Sequence, residues 1–371
     1  MKIAMFGHKR IPSREGGVEI VVEQLSTKMV AMGHLVICYN RRGHHVGGAQ
    51  FDVQSQHQFQ GVQLKTVPTL DKKGMAALTS SFFAAVCAAF CSAQVVHIHA
   101  EGPAFFCWLP RLFGKRVIVT VHGLDWQREK WKGGLGAKFI RYGEKMAVRF
   151  AHEIIVLSKN VQTYFKDTYG RETVFIPNGV SKPEMREAQE ITDRFGLEKD
   201  SYILFLGRLV PEKGIHYLIE AYRNIKTDKK LVIAGGVSDT DAYGQELKNL
   251  AENNPNIVFT GFVQGRLLEE LYSNAYLYVL PSDLEGMPLS LLEAMSYGNC
   301  CVTSDIEECA AVIADHGVTF PKGNVAGLAE VLQSLCEDTL TVTKHKQQAA
   351  NYITEKYNWD DVTEKTLELY Q

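Results

Sequence analysis

Residues 202–214 read Tyr-Ile-Leu-Phe-Leu-Gly-Arg-Leu-Val-Pro-Glu-Lys-Gly. Five apolar residues closed by Gly207 are too short for a buried helix and spell a strand covered on both faces, as in a parallel sheet. Lys213-Gly214 is expected to open the next helix, so Arg208 and Lys213 fall at the strand's carboxyl end, beside a helix N-terminus. In open α/β sheets ligands bind at that end. A forked guanidinium, a point ammonium and helix N–H groups suit a diphosphate. A solvated basic turn is the other reading of the same residues.

The alternation of short β-branched runs with helical patterns continues in both directions. Downstream, strands are expected at 231–234, 257–260, 277–280, 300–303 and 318–320. Upstream they are expected at 2–7, 35–39, 62–67, 94–98, 116–121, 153–157 and 173–176, with helices starting near Val18, Met75, Pro103, Leu135 and Asn160. Between Pro177-Asn178-Gly179 and Asp200 the pattern lapses into a polar connection. A chain of 371 residues exceeds what one core usually holds. The fold class is therefore α/β, two tandem doubly wound parallel-sheet domains spanning 1–180 and 200–357, with binding loops at the strand ends around a central cleft. A last helix, about 358–371, lies too far beyond the final strand to be a crossover.

A second loop carries chemistry. After the apolar run ending at Leu280 comes Pro281-Ser282-Asp283-Leu284-Glu285-Gly286-Met287-Pro288-Leu289, and a helix is expected from Pro288 through Glu293. Backbone N–H groups from Gly286 to Leu289 would face a ligand, with Glu285 at the tip of the turn. A carboxylate there can hold sugar hydroxyls and stabilise positive charge at an anomeric carbon; a capping acid and an ordinary helix glutamate are the alternative. In the first half, Gly16-Gly17 precedes a helix and permits close approach of an anion. It forms neither a G-x-G-x-x-G fingerprint nor a Walker loop, so nicotinamide and ATP chemistry gain no support. His97, His99 and His122 end strands. Zinc competes for them, but no H-E-x-x-H occurs and carboxylates are not placed to complete a site.

Composition, 46% hydrophobic and 22% charged, excludes disordered and fibrous classes. The eight cysteines lack C-x-x-C spacing and read as reduced core residues of a cytoplasmic protein. The N-terminal apolar run is too short for a signal peptide, and Gly74–Ala93 is too rich in alanine and serine to span a bilayer, so a buried helix is expected there. Net charge is −2, yet residues through Lys182 hold 24 Lys+Arg against 12 Asp+Glu, and the remainder 16 against 30. The basic half calls for an anionic partner. Between Arg128 and Arg149, Lys138, Arg141, Lys145 and Arg149 fall on one helical stripe and Leu135, Phe139, Met146 and Phe150 on another. A basic amphipathic helix at an anionic membrane surface is one reading, and a domain helix with a solvated face is the other. Nucleic acid is disfavoured, because aromatics are not interleaved with the cations.

Together these loops resemble the retaining glycosyltransferases of family four. The resemblance spans essentially the whole chain, through the Gly-Gly loop at 16–17, His122, Pro177-Asn178-Gly179-Val180, Arg208 with Lys213, and Glu285 with Glu293. It implies the two-domain glycosyltransferase-B fold, with two Rossmann-like halves and the last helix packing back on the first. It also implies that Arg208 and Lys213 neutralise the donor diphosphate, and that Gly16 and Gly17 offer amides to it or shape the acceptor site. His122 would touch the donor sugar. Glu285 would hold its hydroxyls with the backbone of Gly286, Met287, Pro288 and Leu289. Glu293 would bind the ribose, while Phe262 and Val263, after Gly261, would lie along the base. Asn178 matches a motif position without a defined role.

Such enzymes need neither a metal nor a cofactor beyond the nucleotide-sugar donor, and no Asp-x-Asp motif occurs here. Residues 7–19 also resemble the opening of bacterial rhamnosyl- and related polysaccharide transferases, with Glu15 where those carry an aromatic. The expected activity is retaining transfer from a UDP-sugar to a lipid-linked or oligosaccharide acceptor in polysaccharide assembly, at the inner face of the plasma membrane. A soluble transferase with a free sugar acceptor and a sugar-nucleotide epimerase are the alternatives.

Overall fold

The computed structural model describes all residues except 46–47, 49–55, 71, 73, 132–133, 237–241 and 253, and excludes the side chains of Lys130 and Leu135. The chain divides into two compact units, Met1–Asn178 with Trp359–Gln371, and Gly179–Asn358.

The first unit is an eight-stranded sheet of β1 (Lys2–Phe6), β2 (Leu35–Arg41), β3 (Gln58–Phe59), β4 (Val62–Val67), β5 (Val95–His99), β6 (Arg116–Val121), β7 (Glu153–Val156) and β8 (Val174–Phe175). Its order is β3-β4-β2-β1-β5-β6-β7-β8. Every pairing is parallel except the β3–β4 hairpin at the edge. That hairpin has no sequence-level expectation: β3 is two residues long, and its turn rests on the left-handed backbone of Gln60 and Gly61. The central strands β1, β5 and β6 are covered on both faces, which is why they read as unbroken apolar runs.

The second unit is a six-stranded, wholly parallel sheet of β9 (Tyr202–Leu206), β10 (Lys230–Ala234), β11 (Ile257–Gly261), β12 (Leu277–Leu280), β13 (Cys300–Ser304) and β14 (Val318–Phe320). The order β11-β10-β9-β12-β13-β14 puts β9 beside β12. The connection before β9 contains a helix, Glu190–Phe195, that the polar sequence did not reveal. Its N-terminus is satisfied from a distance, because the buried Glu270 carboxylate accepts the Gln189 and Ile191 amides at 2.9 and 3.2 Å.

The last helix, Trp359–Glu368, belongs to the first unit. Lys28 meets Asp360 at 2.7 Å, Arg116 Nε donates to the Leu369 carbonyl at 2.6 Å, and the buried Tyr370 hydroxyl reaches His97 Nδ1 at 2.6 Å. With that helix counted, the first unit holds 24 basic and 16 acidic residues, and the second 16 and 26.

Two expectations are corrected. The helix Met75–Phe90 buries only the face of Ser80, Ser81, Ala84, Ala85, Ala88 and Ala89, leaving Phe82, Phe83 and Phe90 exposed. Cys38, Cys107, Cys300, Cys301 and Cys309 are buried free thiols, but Cys87 is exposed and Cys91 and Cys336 are only partly covered.

Gly7 and Gly33 both have positive φ, +110° and +85°, but a Cβ at Gly7 would overlap the His99 carbonyl, whereas Gly33 faces open space. Gly33→Ala should therefore cost about 1 kcal/mol of backbone strain, and Gly7→Ala at least about 3 kcal/mol, because the ends of β1 and β5 must also part. Denaturant unfolding of the two variants measures this, and equal losses would contradict it.

Candidate active site

The loops after β9 and β12 are pressed together in the second unit. Gly214, at φ +64°, caps the loop after β9, and a Cβ there would overlap the Pro281 carbonyl. The Asp283 N–H donates to the Glu212 carbonyl at 2.8 Å, and the Tyr217 hydroxyl reaches Asp283 Oδ2 at 3.1 Å. This clasp brings Lys213 Nζ to Glu285 Oε1 at 2.5 Å, and the Ser282 hydroxyl donates to the same oxygen at 2.6 Å. The pair is well shielded, with side-chain exposures of 13% and 9%. Arg208 stands at the carboxyl end of β9, half-buried.

The neighbouring loops close in by the same device. A Cβ on Gly235 would overlap the Gly207 carbonyl, and the Leu209 N–H donates to the Gly236 carbonyl at 3.0 Å. Gly236 in turn lies against Phe262, which is half-buried beside the buried Val263. Arg208, Lys213, Phe262, Val263 and Glu285 thus all sit at the carboxyl mouth of one sheet, on loops following strands that are adjacent or nearly so.

The helix after β12 spans Leu289–Ser296 and starts one residue later than expected, with Pro288 at its N-cap. Proline has no N–H, so only Gly286, Met287 and Leu289 can supply the amides expected from this turn. Glu293 lies inside that helix, and the Tyr272 hydroxyl reaches its Oε2 at 3.4 Å. Ser282 and Tyr217, which hold Glu285 and its loop, carried no sequence signal beyond their position.

In the first unit, Gly16 caps the helix Gly17–Ala31 in an extended conformation. The space beside it already holds a carboxylate: Glu19 folds back so that its Oε2 would contact a Cβ at Gly16, and its Oε1 accepts the Lys9 N–H at 2.8 Å. Glu15 is buried against Arg10 Nε at 3.3 Å, so its charge is satisfied internally.

Histidines line the ends of β5 and β6. His97 Nε2 meets the Thr120 hydroxyl at 2.7 Å, its ring stacks on His99 at 4.2 Å, and His99 Nδ1 lies 3.1 Å from His122 Nε2. Burial lowers all three pKa values, to about 3 for His97 and about 4 for His122, so the rings are neutral at ordinary pH. Beside them Glu101 is fully buried, accepts the Asp125 N–H at 2.8 Å, and has its pKa raised well above the carboxylate range by burial. Its neighbour Glu144 accepts the Tyr164 hydroxyl at 2.7 Å and also that of Tyr169. Among the described residues no cluster of His, Cys, Asp and Glu is arranged to hold a metal.

The expected amphipathic helix is real in position, Leu135–Phe150, but not in its free apolar face. Phe139, Met146 and Phe150 pack against the domain core, and Leu135 lies outside the described side chains. Lys138, Arg141, Lys145 and Arg149 are all exposed. The histidine cluster has a consequence for stability. In the unfolded chain these imidazoles protonate near pH 6.5, whereas in the native state His122 waits until about pH 4 and His97 until about pH 3. Stability should therefore fall as pH drops below about 6.5. Replacing His97 by Asn should flatten that slope in unfolding measurements across pH 4–7; an unchanged slope would contradict the assignment.

Residues 15–182 match the family model Glycosyltransferase Family 4, and residues 187–356 match Glycosyl transferases group 1. Alpha-maltose-1-phosphate synthase of Mycobacterium tuberculosis is 26% identical over 336 residues, covering 82% of this chain and 85% of that protein. Sucrose-phosphate synthase from Thermosynechococcus elongatus superposes with a TM-score of 0.86 at 20% identity, covering 100% of this chain and 98% of the other. Anabaena Alr3699/HepE in complex with UDP and glucose gives 0.80 at 16% identity, covering 99% and 98%. The two family models meet end to end along nearly the whole chain, which belongs to the family-four type of glycosyltransferases and has their two-domain glycosyltransferase-B fold.

Proposed function

We propose that this glycosyltransferase moves a sugar, with retention, from a UDP-sugar to a lipid-linked or oligosaccharide acceptor. The observation that carries the reading is the Lys213–Glu285 pair beside Arg208 at one sheet mouth. Here a diphosphate finds two cations and a sugar finds an acid, with no metal required. The UDP in the HepE complex supports the choice of base.

In this reading Arg208 and Lys213 bind the diphosphate and stabilise it as it leaves. The anomeric C–O bond to phosphate breaks while the acceptor oxygen bonds to the same face. The acceptor's proton passes to the departing phosphate oxygen, releasing nucleoside diphosphate. Glu285 orients the sugar hydroxyls with amides of Gly286, Met287 and Leu289. His122 meets the donor sugar, Glu293 the ribose, and Phe262 with Val263 the base. Gly16 and Gly17 shape the acceptor side, where the Glu19 carboxylate at the helix start favours hydroxyl groups over a further phosphate.

A membrane-linked acceptor fits the surface of the first unit. Phe90 and Leu112 are 69% and 70% exposed, and Phe90 packs edge-on against the exposed Phe113. Arg111, from the same turn, reaches His152 Nδ1 at 3.0 Å just beyond the helix Leu135–Phe150, so the apolar patch adjoins the helix that displays Lys138, Arg141, Lys145 and Arg149. Among the described residues no helix is long and apolar enough to cross a membrane, and contact of this kind is peripheral, on the cytoplasmic face. A free sugar acceptor is the second reading; the similar maltose-1-phosphate and sucrose-phosphate synthases support a small soluble acceptor, although their products are sugar phosphates.

Two experiments test these roles. Glu285→Gln should reduce turnover by about 10²–10³-fold while UDP binds at least as tightly, because Lys213 is released from its partner; Lys213→Ala should lose both turnover and UDP affinity. Calorimetry and steady-state kinetics separate the two, and near-normal turnover in either variant would remove that residue from the mechanism. In liposome co-sedimentation at low salt, the protein should bind anionic vesicles, and replacing Arg141, Lys145 and Arg149 by Glu should abolish binding, each cation being worth about 1 kcal/mol near the surface. No binding by the unsubstituted protein would favour the free acceptor.

A further inference from the structure

The three polar contacts around His97, His99 and His122 form two separate strings joined only by ring stacking. In one, the Tyr370 hydroxyl, the His97 ring and the Thr120 hydroxyl are in line, at 2.6 and 2.7 Å. In the other, His99 Nδ1 faces His122 Nε2 at 3.1 Å. His99 stacks on His97 at 4.2 Å with 29° between the planes, so the first string holds the His99 ring in place. The far nitrogen of His99, Nε2, is fully buried and has no hydrogen-bond partner among the described residues.

A contact between two neutral imidazole nitrogens needs one proton between them. If His122 Nε2 carried it, the proton of His99 would be forced onto Nε2, as a buried N–H with no acceptor. If His99 Nδ1 carries it, the orphan on His99 is a bare lone pair. Orphaned buried N–H groups are the rarer defect in folded proteins. The contact itself therefore selects the second arrangement. In that arrangement His122 accepts at Nε2 and keeps its own proton on Nδ1, the ring nitrogen left for a ligand at the carboxyl end of β6.

We propose that His99 is a positioning residue: its Nδ1–H locks His122 into the Nδ1-protonated form, so that His122 meets the substrate as a hydrogen-bond donor. The substrate atom that suits it is an oxygen with lone pairs to offer, a sugar hydroxyl or ring oxygen. The proposal rests on the placement of His122 at the donor sugar. The stack adds a link between the chain's last residues and the site: Tyr370, arriving from beyond the helix Trp359–Glu368, fixes His97, and His97 fixes the plane of His99.

The test reads the tautomer directly. Long-range proton–nitrogen correlation spectra of the full chain labelled with ¹⁵N-histidine, at neutral pH and without substrate, should show His122 with a protonated Nδ1 and a bare Nε2. A His122→Gln sample assigns the signals. A proton on His122 Nε2, or rapid averaging between the two forms, overturns the proposal. This readout needs no turnover, so it stands apart from any failure of the transferase reading. Kinetics give the second arm. His99→Leu, which removes the donor, should lower kcat/KM about tenfold, the worth of one neutral hydrogen bond. His99→Asn, whose amide places an N–H near the former Nδ1, should recover to within about threefold of the parent. Equal impairment of both variants, or of neither, contradicts a positioning role. Should His99→Leu fail to fold, the tautomer of the unsubstituted protein decides alone.

Discussion

The Lys213–Glu285 contact is the constraint on which the second unit's site depends. Two opposite charges are kept well shielded at 2.5 Å, a third group, Ser282, shares the acceptor oxygen, and the loops that carry them touch backbone to backbone at Gly214 and Pro281. A pair removed this far from water is tolerable only while each charge has its partner. In the proposed function, an arriving diphosphate would compete with Glu285 for the Lys213 ammonium, and its binding would free the Glu285 carboxylate for sugar hydroxyls. Preorganisation of this kind concentrates binding free energy at the reacting bond.

The first unit works by different physics. Its central strands end in buried neutral imidazoles rather than in ion pairs, and of its buried acids Glu15 pairs with Arg10 while Glu101 accepts the Asp125 N–H at one oxygen only. Its excess of positive charge is carried on the surface, beside exposed aromatics, where it can act on a large anionic partner. Under the proposed function, burial would divide the labour: charge that binds a small anion is shielded and paired, and charge that meets a surface is left in water.

Much of this was legible in the sequence because parallel strands covered on both faces leave unbroken apolar runs, and because Arg208, Lys213 and Glu285 follow such runs directly. What escaped has physical reasons. The two-residue strand β3 and the helix Glu190–Phe195 have too few residues for any periodicity, and the helix is capped by Glu270, eighty residues away in sequence and invisible to local reading. The spacing of Phe139, Met146 and Phe150 predicts an apolar stripe correctly but cannot say whether core or lipid covers it; here the core does. The exposed Phe90 and Phe113 come from separate elements, and only the fold brings them together. Propensity favours Pro288 at the first helical position, yet in the structure it caps the helix. Tyr370 carried no signal, because its partner His97 lies 273 positions away.

The central claim is that this chain holds a nucleoside diphosphate sugar through two cations and an acid, without a metal. A thermal-shift panel of UDP-, GDP- and dTDP-sugars in the presence of a chelator tests it most directly, since a ligand that binds the native state raises the melting point. The account predicts stabilisation by a UDP-sugar that survives chelation and disappears in the Lys213→Ala protein. No shift with any of the three nucleotide classes, or a shift that requires a divalent ion, would contradict it.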